Sequence, residues 1–310
     1  MSYRGSLENL DGMPSSSKHS GKQYGSVSSK FNKSAPVRWV ENLEQFFNTI
    51  DKGIDRVSQS AFFYQLKPYI PSIARFFIVA TFYEDSFRIL TQWAEQVYYL
   101  NKWKNLPYLF VCFFLIVVVI AMLTGSTLLM LRKYNTYATG ILCGCILSQA
   151  LVYGLFSGSS FVLRNFSVMG GLLIAFSDSI VKNKASLAML PELSDKEDKN
   201  KGYILLTGRM LIVLMFITFT FSKSWLTVLL TIIFTVCFGI GYKTKVASTA
   251  LLLILTFYNV SLNNYWFKDS SERDFLKYEF FQNLSIIGGL LLVTNTGAGE
   301  LSVDSKKKIY

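Results

Sequence analysis

An apolar stretch near residues 73–92 is interrupted by three ionisable residues, Glu84, Asp85 and Arg88. Ionisable side chains at membrane depth are costly, and they often bind ligands or ions. Glu84 and Arg88 are four residues apart, so on a helix they share a face and are expected to pair. Asp85 has no local partner on that face, and it could bind a cationic peptide group. The alternative is a structural ion pair beside an interfacial carboxylate.

Three more ionisable residues lie inside apolar runs, namely Arg75, Asp178 and Arg209. A buried charge needs a partner of opposite charge. We therefore expect Asp178 to pair with one of the two arginines. For Arg75, Arg88, Asp178 and Arg209 we predict a structural or coupling role.

Residues suited to covalent or metal chemistry are scarce. The single histidine, His19, lies in a Ser-rich segment. The cysteines all lie in apolar runs, which is typical of small buried side chains: Cys112, Cys143, Cys145 and Cys237. Zinc sites need Cys or His at spaced positions. We expect no catalytic residue, no metal and no cofactor, which disfavours a membrane oxidoreductase.

The composition indicates a membrane protein. Hydrophobic residues make up 51% of the 310 residues, charged residues make up 16%, and the mean hydropathy is +0.33. A soluble domain carries about 25% charged residues, so the composition disfavours an ordinary cytosolic enzyme. The formal net charge is +11. No basic face is interleaved with aromatic residues outside the apolar runs, so we reject a nucleic-acid binder.

The first 67 residues precede the apolar runs. Residues 1–35 are rich in Ser and Gly and are predicted to be disordered. No apolar run follows Met1, so no cleavable signal peptide is expected. Residues 36–67 are predicted to hold a cytosolic amphipathic helix, because apolar residues recur there at alternating spacings of three and four: Val40, Leu43, Phe47, Ile50, Ile54, Val57 and Ala61.

Eight apolar runs predict about eight transmembrane helices, each needing roughly 20 residues to cross a bilayer. The shorter runs leave six or seven spans open as alternatives. The runs are about 73–92, 106–131, 138–163, 166–183, 203–221, 225–242, 246–262 and 283–296. The fold class is therefore an all-α polytopic membrane protein.

An internal repeat predicts that the helices form a duplicated four-helix unit. Residues 165–173 (NFSVMGGLL) recur at 283–291 as NLSIIGGLL, and 74–79 resembles 208–213. The units are 68–184 and 203–298, joined by a cytosolic loop, 185–202, and followed by a cytosolic tail, 299–310. Small residues permit close helix contact, so we predict helix packing for the paired glycines of the repeat: Gly170, Gly171, Gly288 and Gly289.

The lysine and arginine distribution predicts that both termini are cytosolic. With that orientation 21 cations face the cytosol, seven face the lumen and three lie in helices, as the positive-inside rule requires. Counted back from Tyr310, Lys307 and Lys308 are then the fourth and third residues from the cytosolic end of the given chain, which is the spacing of a dilysine retrieval signal. A solvated lysine-rich end is the alternative. The signal implies the endoplasmic reticulum and early Golgi.

Several motifs occur together in one order from about residue 64 onward. They are LKPYIPS (66–72), RFFIVATFYEDSFRI (75–89), QALVYGL (149–155), RNFSVMGGLL (164–173), NNYW (263–266) and the final lysine run. Together they resemble the surfeit locus protein four family, and in particular its fungal cargo receptors of endoplasmic-reticulum vesicles. The four-helix repeat, with an arginine near the start of each unit, also resembles the DoxX-like membrane fold.

The family resemblance implies a transmembrane receptor rather than an enzyme. Such a receptor binds soluble secretory proteins in the lumen, enters COPII vesicles and returns through the COPI coat, which would read Lys307 and Lys308. Glu84 and Asp85 are then our own candidates for cargo contact. The resemblance leaves the cargoes and the oligomeric state open, including a homo-oligomer. The alternative function is a transporter, channel or lipid scramblase.

Three Asn-X-Ser sequons, at Asn165, Asn259 and Asn283, would face the lumen in this topology. All three adjoin or enter predicted spans. We therefore interpret them as helix-entry caps rather than glycosylation sites.

Overall fold

The computed structural model describes residues 35–154, 159–184, 191–220 and 225–306, and every regular element in these ranges is a helix. The α-helices are α1 (Ala35–Ser58), α2 (Ala61–Leu66), α3 (Ile70–Thr91), α4 (Trp93–Tyr98), α5 (Tyr108–Met130), α6 (Asn135–Tyr153), α7 (Ser159–Lys184), α8 (Pro191–Thr220), α9 (Trp225–Ile240), α10 (Thr244–Leu262), α11 (Ser270–Thr296) and α12 (Val303–Lys306). The chain forms two units, Met1–Leu43 and Glu44–Tyr310.

Four helical stretches within the described residues are long and apolar enough to cross a membrane. They are Tyr108–Met130, Asn135–Tyr153, Asn200–Ile217 and Thr244–Phe267. Helix α9 is apolar but shorter, with 16 residues. Helices α3, α7 and α11 are 22 to 27 residues long and carry several ionisable side chains. Each of the eight predicted runs overlaps one of the eight helices α3 and α5–α11, but length and composition identify only four of them as spans.

Several helix ends differ from the predicted boundaries. The run predicted at 138–163 stops at Tyr153, because Gly154 adopts the left-handed conformation (φ +66°) that terminates helices. The run predicted at 283–296 is only the second half of α11, which begins at Ser270. The predicted loop 185–202 is helical from Pro191 onward.

Two helix pairs cross where a glycine faces the backbone of the neighbouring helix. The pairs are α7 with α8 and α11 with α3. A Cβ atom added to Gly170 of α7 would lie 2.7 Å from the carbonyl oxygen of Gly208 in α8. A Cβ added to Gly288 of α11 would lie 2.5 Å from the carbonyl oxygen of Ala74 in α3. Both crossings therefore need a residue without a side chain.

The second glycine of each pair lies where α7 meets α11. A Cβ added to Gly289 would lie 3.1 Å from Cα of Gly171. A Cβ added to Gly171 would contact the carbonyl oxygen of Ser285 at 3.4 Å. Gly171 thus faces the backbone of α11, and Gly289 faces the backbone of α7.

The segment predicted as one amphipathic helix over 36–67 contains two helices, α1 and α2, with a break after Ser58. Phe47, in the part of α1 that belongs to the second unit, is only 3% exposed. Its ring packs edge-on against Phe234 and Tyr242, with centroid distances of 5.8 and 6.0 Å. The apolar face of this part of α1 therefore packs on α9 and the turn that follows it.

Candidate functional site

A cavity of about 290 Å³ opens between the C-terminal half of α3, α6, α7 and the N-terminal half of α11. Its walls combine apolar and polar side chains. The apolar side includes Phe82, Met122, Ile146, Ala150 and Val168. The polar side includes Asp85, Arg88, Gln149, Asn165, Tyr278 and Gln282. Such a mixture, apolar with a few convergent polar groups, is typical of ligand pockets.

Asp85 lines this cavity, and both of its carboxylate oxygens have partners. One oxygen accepts a hydrogen bond from the Arg88 guanidinium, and the other accepts one from Nε2 of Gln149 at 2.8 Å. The predicted pairing of Arg88 with Glu84 is therefore wrong, since Asp85 forms the ion pair. Residues three apart share a helix face as well as residues four apart, and Arg88 turns towards the cavity. Its guanidinium also lies 5.3 Å from the ring centroid of Tyr278.

Glu84 faces a different neighbour from Asp85. Its Oε1 lies 3.4 Å from Nζ of Lys277 in α11, and its side chain is 3% exposed. Consecutive residues on a helix point about 100° apart, so the two carboxylates do not converge on one ligand position. Of Glu84 and Asp85, only Asp85 lines the cavity.

Two polar atoms at the cavity are buried without a hydrogen-bond partner. Gln282 donates from Nε2 to Oδ1 of Asn165 at 2.8 Å, and Oε1 of Gln282 accepts nothing. Nε of Arg88 likewise has no hydrogen-bond acceptor. Buried polar groups are normally satisfied. These two atoms have almost no accessible surface, so they lie behind the cavity surface and offer it no hydrogen bond.

The mouth of the cavity is bridged by polar contacts between helix ends. Nε2 of Gln92, which follows α3, donates to Oδ2 of Asp274 in α11 at 2.6 Å. Arg164 of α7 forms an ion pair with Glu279 of α11. These contacts join α11 to α3 and to α7 around the opening.

The other predicted ionisable residues lie away from the cavity. Arg75 donates to Asp178 at 2.6 Å and to Oγ of Ser179 at 3.1 Å, so the partner of Asp178 is one of the two arginines expected. Arg75 precedes Asp85 by ten residues, or about 15 Å along the helix. Arg209 donates to the carbonyl oxygens of Phe238 at 3.4 Å and Leu301 at 3.0 Å.

The interpretation of the three sequons as helix-entry caps is wrong. Asn165 and Asn283 lie inside α7 and α11, which begin six and 13 residues earlier, at Ser159 and Ser270. Asn259 lies near the end of α10. Asn259 and Asn283 are 2% and 5% exposed, and Asn165 accepts the hydrogen bond from Gln282. In this conformation all three amides are engaged in helix contacts.

The remaining predicted elements concern metals and the tail. No group of three or more His, Cys, Asp or Glu residues that could hold a metal ion occurs among the described residues. The tail predicted at 299–310 contains α12, and Asp304 contacts the start of α10. Lys307 and Lys308 lie outside the described residues.

Residues 50–310 match the SURF4 family. The chain is 65% identical to the ER-derived vesicles protein ERV29 of Saccharomyces cerevisiae, and the match covers 100% of both chains. The chain belongs to the SURF4 family. A Schizosaccharomyces pombe member of this family, a Surfeit locus protein 4 homolog, is 42% identical over 78% of this chain and 83% of its own.

A Drosophila melanogaster SURF4 relative, also a Surfeit locus protein 4 homolog, is 35% identical over 78% of this chain and 91% of its own. No solved structure matches the chain.

Sequence reasoning missed the amides that shape the cavity. Gln149 lies inside the run 138–163, and Gln282 directly precedes the repeat at 283–291. A single amide within an apolar run is the available signal, because an amide at membrane depth needs a partner. The distance from Gln282 to Asn165 in sequence, 117 residues, hides their contact.

Proposed function

We propose that the protein is a transmembrane receptor that binds soluble secretory proteins in the lumen of the endoplasmic reticulum and carries them into vesicles. The observation that carries the proposal is the cavity, whose lining combines apolar side chains with a few polar ones. The relative named as an ER-derived vesicles protein, which matches over its whole length, supports the compartment.

The polar side chains of the lining suit a peptide backbone. Guanidinium and amide N–H groups donate to a peptide carbonyl, and carboxylate oxygens accept from a peptide N–H. An apolar cargo side chain then packs on Phe82, Met122 and Ile146. A volume of about 290 Å³ lies at the lower limit of ordinary ligand pockets, roughly 300–1,000 Å³. We therefore propose that the site takes a short segment of a cargo protein rather than a folded surface.

Asp85 and Glu84 take different parts in this proposal. Asp85 orients Arg88 and Gln149 towards the segment. A cationic cargo group would have to compete with Arg88 for Asp85, so charge alone does not select cargo. Glu84 anchors α3 to Lys277 of α11 and stabilises the wall behind the site.

We further propose the eight-span topology with a duplicated, DoxX-like four-helix unit and both termini in the cytosol. The reciprocal crossings of Gly170 with Gly208 and of Gly288 with Ala74 support it. Helices α6 and α10 also support the duplication, because both have 19 residues and both begin after a residue in the left-handed conformation. The division into a Ser-rich tail, an amphipathic segment, two repeats, the 185–202 segment and the 299–310 tail belongs to the same proposal.

The proposed cycle uses two coats. Vesicles with a COPII coat carry the loaded receptor to the early Golgi, and the COPI coat returns it by reading Lys307 and Lys308. Lys201, Lys243 and Lys245 line one cavity with Asp304 of the tail, which supports this orientation because cationic residues favour the cytosolic side.

Site-directed photo-crosslinking tests the cargo site. Ala150 lines the cavity and is 8% exposed, whereas its neighbour Leu151 does not line it and is 69% exposed. A photoreactive residue at position 150 is expected to capture soluble secretory proteins in microsomes, and the same residue at 151 is expected to capture none. Equal capture at both positions would exclude the cavity, and normal secretion of all soluble cargo after deletion of the protein would exclude the receptor function.

A transporter or scramblase is the second candidate, because a polar cavity and buried charges lie within the helices. Reconstitution in liposomes separates the two functions. Solute or lipid flux without any cargo, lost on closing the cavity with Ala150→Phe, would favour the transporter.

A further inference from the structure

The cavity that Asp304 shares with three lysines lies at the far end of α11 from the proposed cargo site. We call it the second cavity. Its volume is about 520 Å³, and its wall includes Thr296, the last residue of α11. Lys201 and Thr244 also line it, and two helical stretches that can cross a membrane begin at Asn200 and Thr244. The second cavity therefore lies where apolar helices end and lipid headgroups begin.

The wall of the second cavity carries charges of both signs. It includes three lysines and three carboxylates: Lys201, Lys243, Lys245, Asp51, Glu300 and Asp304. No ion pair among the described residues joins these lysines to these carboxylates. Both signs of charge therefore remain available to a ligand.

The carboxylate of Asp304 is the exception, because the fold already uses it. It accepts hydrogen bonds from the backbone N–H of Lys243 at 2.7 Å and of Thr244 at 2.8 Å, and from Oγ1 of Thr244 at 2.9 Å. Asp304 thereby caps α10, whose first N–H groups have no partner inside the helix. Nζ of Lys243 donates to the neutral amide of Asn48, which leaves its charge in place. Three ammonium groups and the two other carboxylates remain for a ligand.

These groups can be reached from the surface. Lys245 and Glu300 are exposed, and Asp51, Lys201 and Lys243 are half-buried. The cavity volume of about 520 Å³ lies within the ordinary range of ligand sites, roughly 300–1,000 Å³. An apolar part of the wall, which includes Leu205, Val246 and Ala298, lies beside the charges.

The mixture of charges identifies the class of ligand. A phosphate accepts charge-assisted hydrogen bonds from lysines, and a primary ammonium group donates to carboxylates. Aromatic side chains, which recognise quaternary ammonium groups, are absent from the described part of the wall. The carboxylates repel a headgroup that carries negative charge alone. A headgroup with one phosphate and one primary ammonium group satisfies both signs.

We propose that the second cavity binds the headgroup of an aminophospholipid. Lys201, Lys243 and Lys245 hold the phosphate, and Asp51 and Glu300 hold the ammonium group. Basic pockets between transmembrane helices are known headgroup sites, and the apolar wall receives the start of the lipid chains. Soluble phosphoethanolamine carries the same charges, but the position at the ends of two spans favours the lipid. The inference does not depend on cargo binding.

Native mass spectrometry of the full-length protein in detergent tests the lipid class. The protein is offered phosphatidylethanolamine, phosphatidylcholine and phosphatidic acid in equal amounts. One phosphatidylethanolamine per chain is expected to bind about tenfold more tightly than either competitor, because each competitor loses one charge-assisted contact. Equal binding of all three lipids would overturn the inference.

Neutralising the lysines tests the phosphate contacts. Lys201→Gln and Lys245→Gln are each expected to weaken binding of phosphatidylethanolamine about tenfold. Lys133→Gln is the matched control, because Lys133 is exposed in the turn before α6 and does not line the second cavity. Equal weakening by the control variant would show a general effect of surface charge and would overturn the site.

Neutralising a carboxylate tests the ammonium contact. Asp51→Asn is expected to remove the preference for phosphatidylethanolamine over phosphatidic acid, whereas Asp55→Asn, at an exposed position one turn along α1, is expected to keep it. A preference that survives Asp51→Asn would overturn the proposed role of this carboxylate.

Free phosphoethanolamine separates the two sources of the headgroup. At the concentration of the lipid it is expected to displace little phosphatidylethanolamine, because it makes no contact with the apolar wall. Displacement as effective as that by the lipid itself would assign the site to a soluble ligand and overturn the lipid proposal.

Discussion

Arg75 in the first half of the chain and Arg209 in the second are both buried, but their partners differ. Arg75 donates to a carboxylate, Asp178, within the same half. Arg209 donates to two backbone carbonyls, and one of them, Leu301, belongs to the tail that also carries Asp304. The first half pairs its buried arginine internally, whereas the buried arginine of the second half bonds to the tail that follows α11.

The polar groups at the opposite end of the bundle also differ between the two halves. There the second half is the one whose polar side chains bond to each other. In the second half Asn259 accepts from Asn263 and from Asn283, both at 3.0 Å, and donates to the carbonyl oxygen of Phe280 at 3.1 Å. In the first half Asp85, Arg88 and Gln149 line the cavity, and Gln282 of α11 lines it from the second half. Similar helix crossings thus accompany a cross-linked amide cluster in the second half and a cavity lined by the first half and α11, and our proposal assigns cargo binding to that cavity.

The largest expected effect comes from breaking the ion pair of the first half. Asp178→Leu leaves Arg75 buried without a carboxylate partner, and the free energy of unfolding is expected to fall by about 3–5 kcal/mol. Thr296→Val alters the corresponding position of the second half, where Oγ1 bonds only to the carbonyl of Leu292, and is expected to cost about 1 kcal/mol or less. Chemical unfolding in detergent measures both variants.

A double variant completes that test. Arg75→Met combined with Asp178→Leu removes both charges, and it is expected to recover most of the stability lost by Asp178→Leu alone. If the double variant is as unstable as the single one, packing rather than the unpaired charge explains the loss.

The next effect tests whether the two halves pack alike. Gly170→Ala and Gly288→Ala each place a methyl group against backbone, of Gly208 and Ala74 respectively. Each is expected to lower the free energy of unfolding by a similar amount, about 1–3 kcal/mol. Gly140→Ala is the control, since nothing lies within 4 Å of its added Cβ. Very different losses at positions 170 and 288 would contradict the equivalence of the crossings.

A third prediction separates cargo binding from stability. Gln282→Leu removes an amide of the cavity lining that positions Asn165, and cargo affinity is expected to fall about fivefold to thirtyfold, equivalent to roughly 1–2 kcal/mol. Asn263→Leu disrupts the amide cluster of the second half, and it is expected to lower stability with cargo affinity unchanged. Crosslinking from position 150 and thermal unfolding are the paired measurements. Loss of cargo binding in Asn263→Leu alone would move the site to the second half.

The sequence pattern predicted what depends on periodicity and on repeated motifs. Apolar runs located the long helices, and the repeat located Gly170 and Gly288 at their crossings. The partner of Arg88 was not predictable, because spacings of three and four both fit one helix face and the choice depends on where α11 lies. The start of α11 at Ser270 was missed because its first turns are polar and resemble a loop in composition.

The smallest expected effect concerns the mouth of the cavity. The hydrogen bond from Gln92 to Asp274 joins the end of α3 to α11 at an exposed position, so its net contribution is expected to be about 0.5–1.5 kcal/mol. Gln92→Ala should leave the crossings intact and speed both entry and release of a cargo segment, because the bridge restricts the opening. Kinetic crosslinking with a short apolar peptide measures the two rates. Gln65→Ala, at an exposed glutamine of α2 away from the cavity, is the control. A changed affinity with unchanged rates of entry would mean that Gln92 contacts the cargo instead of bridging the opening.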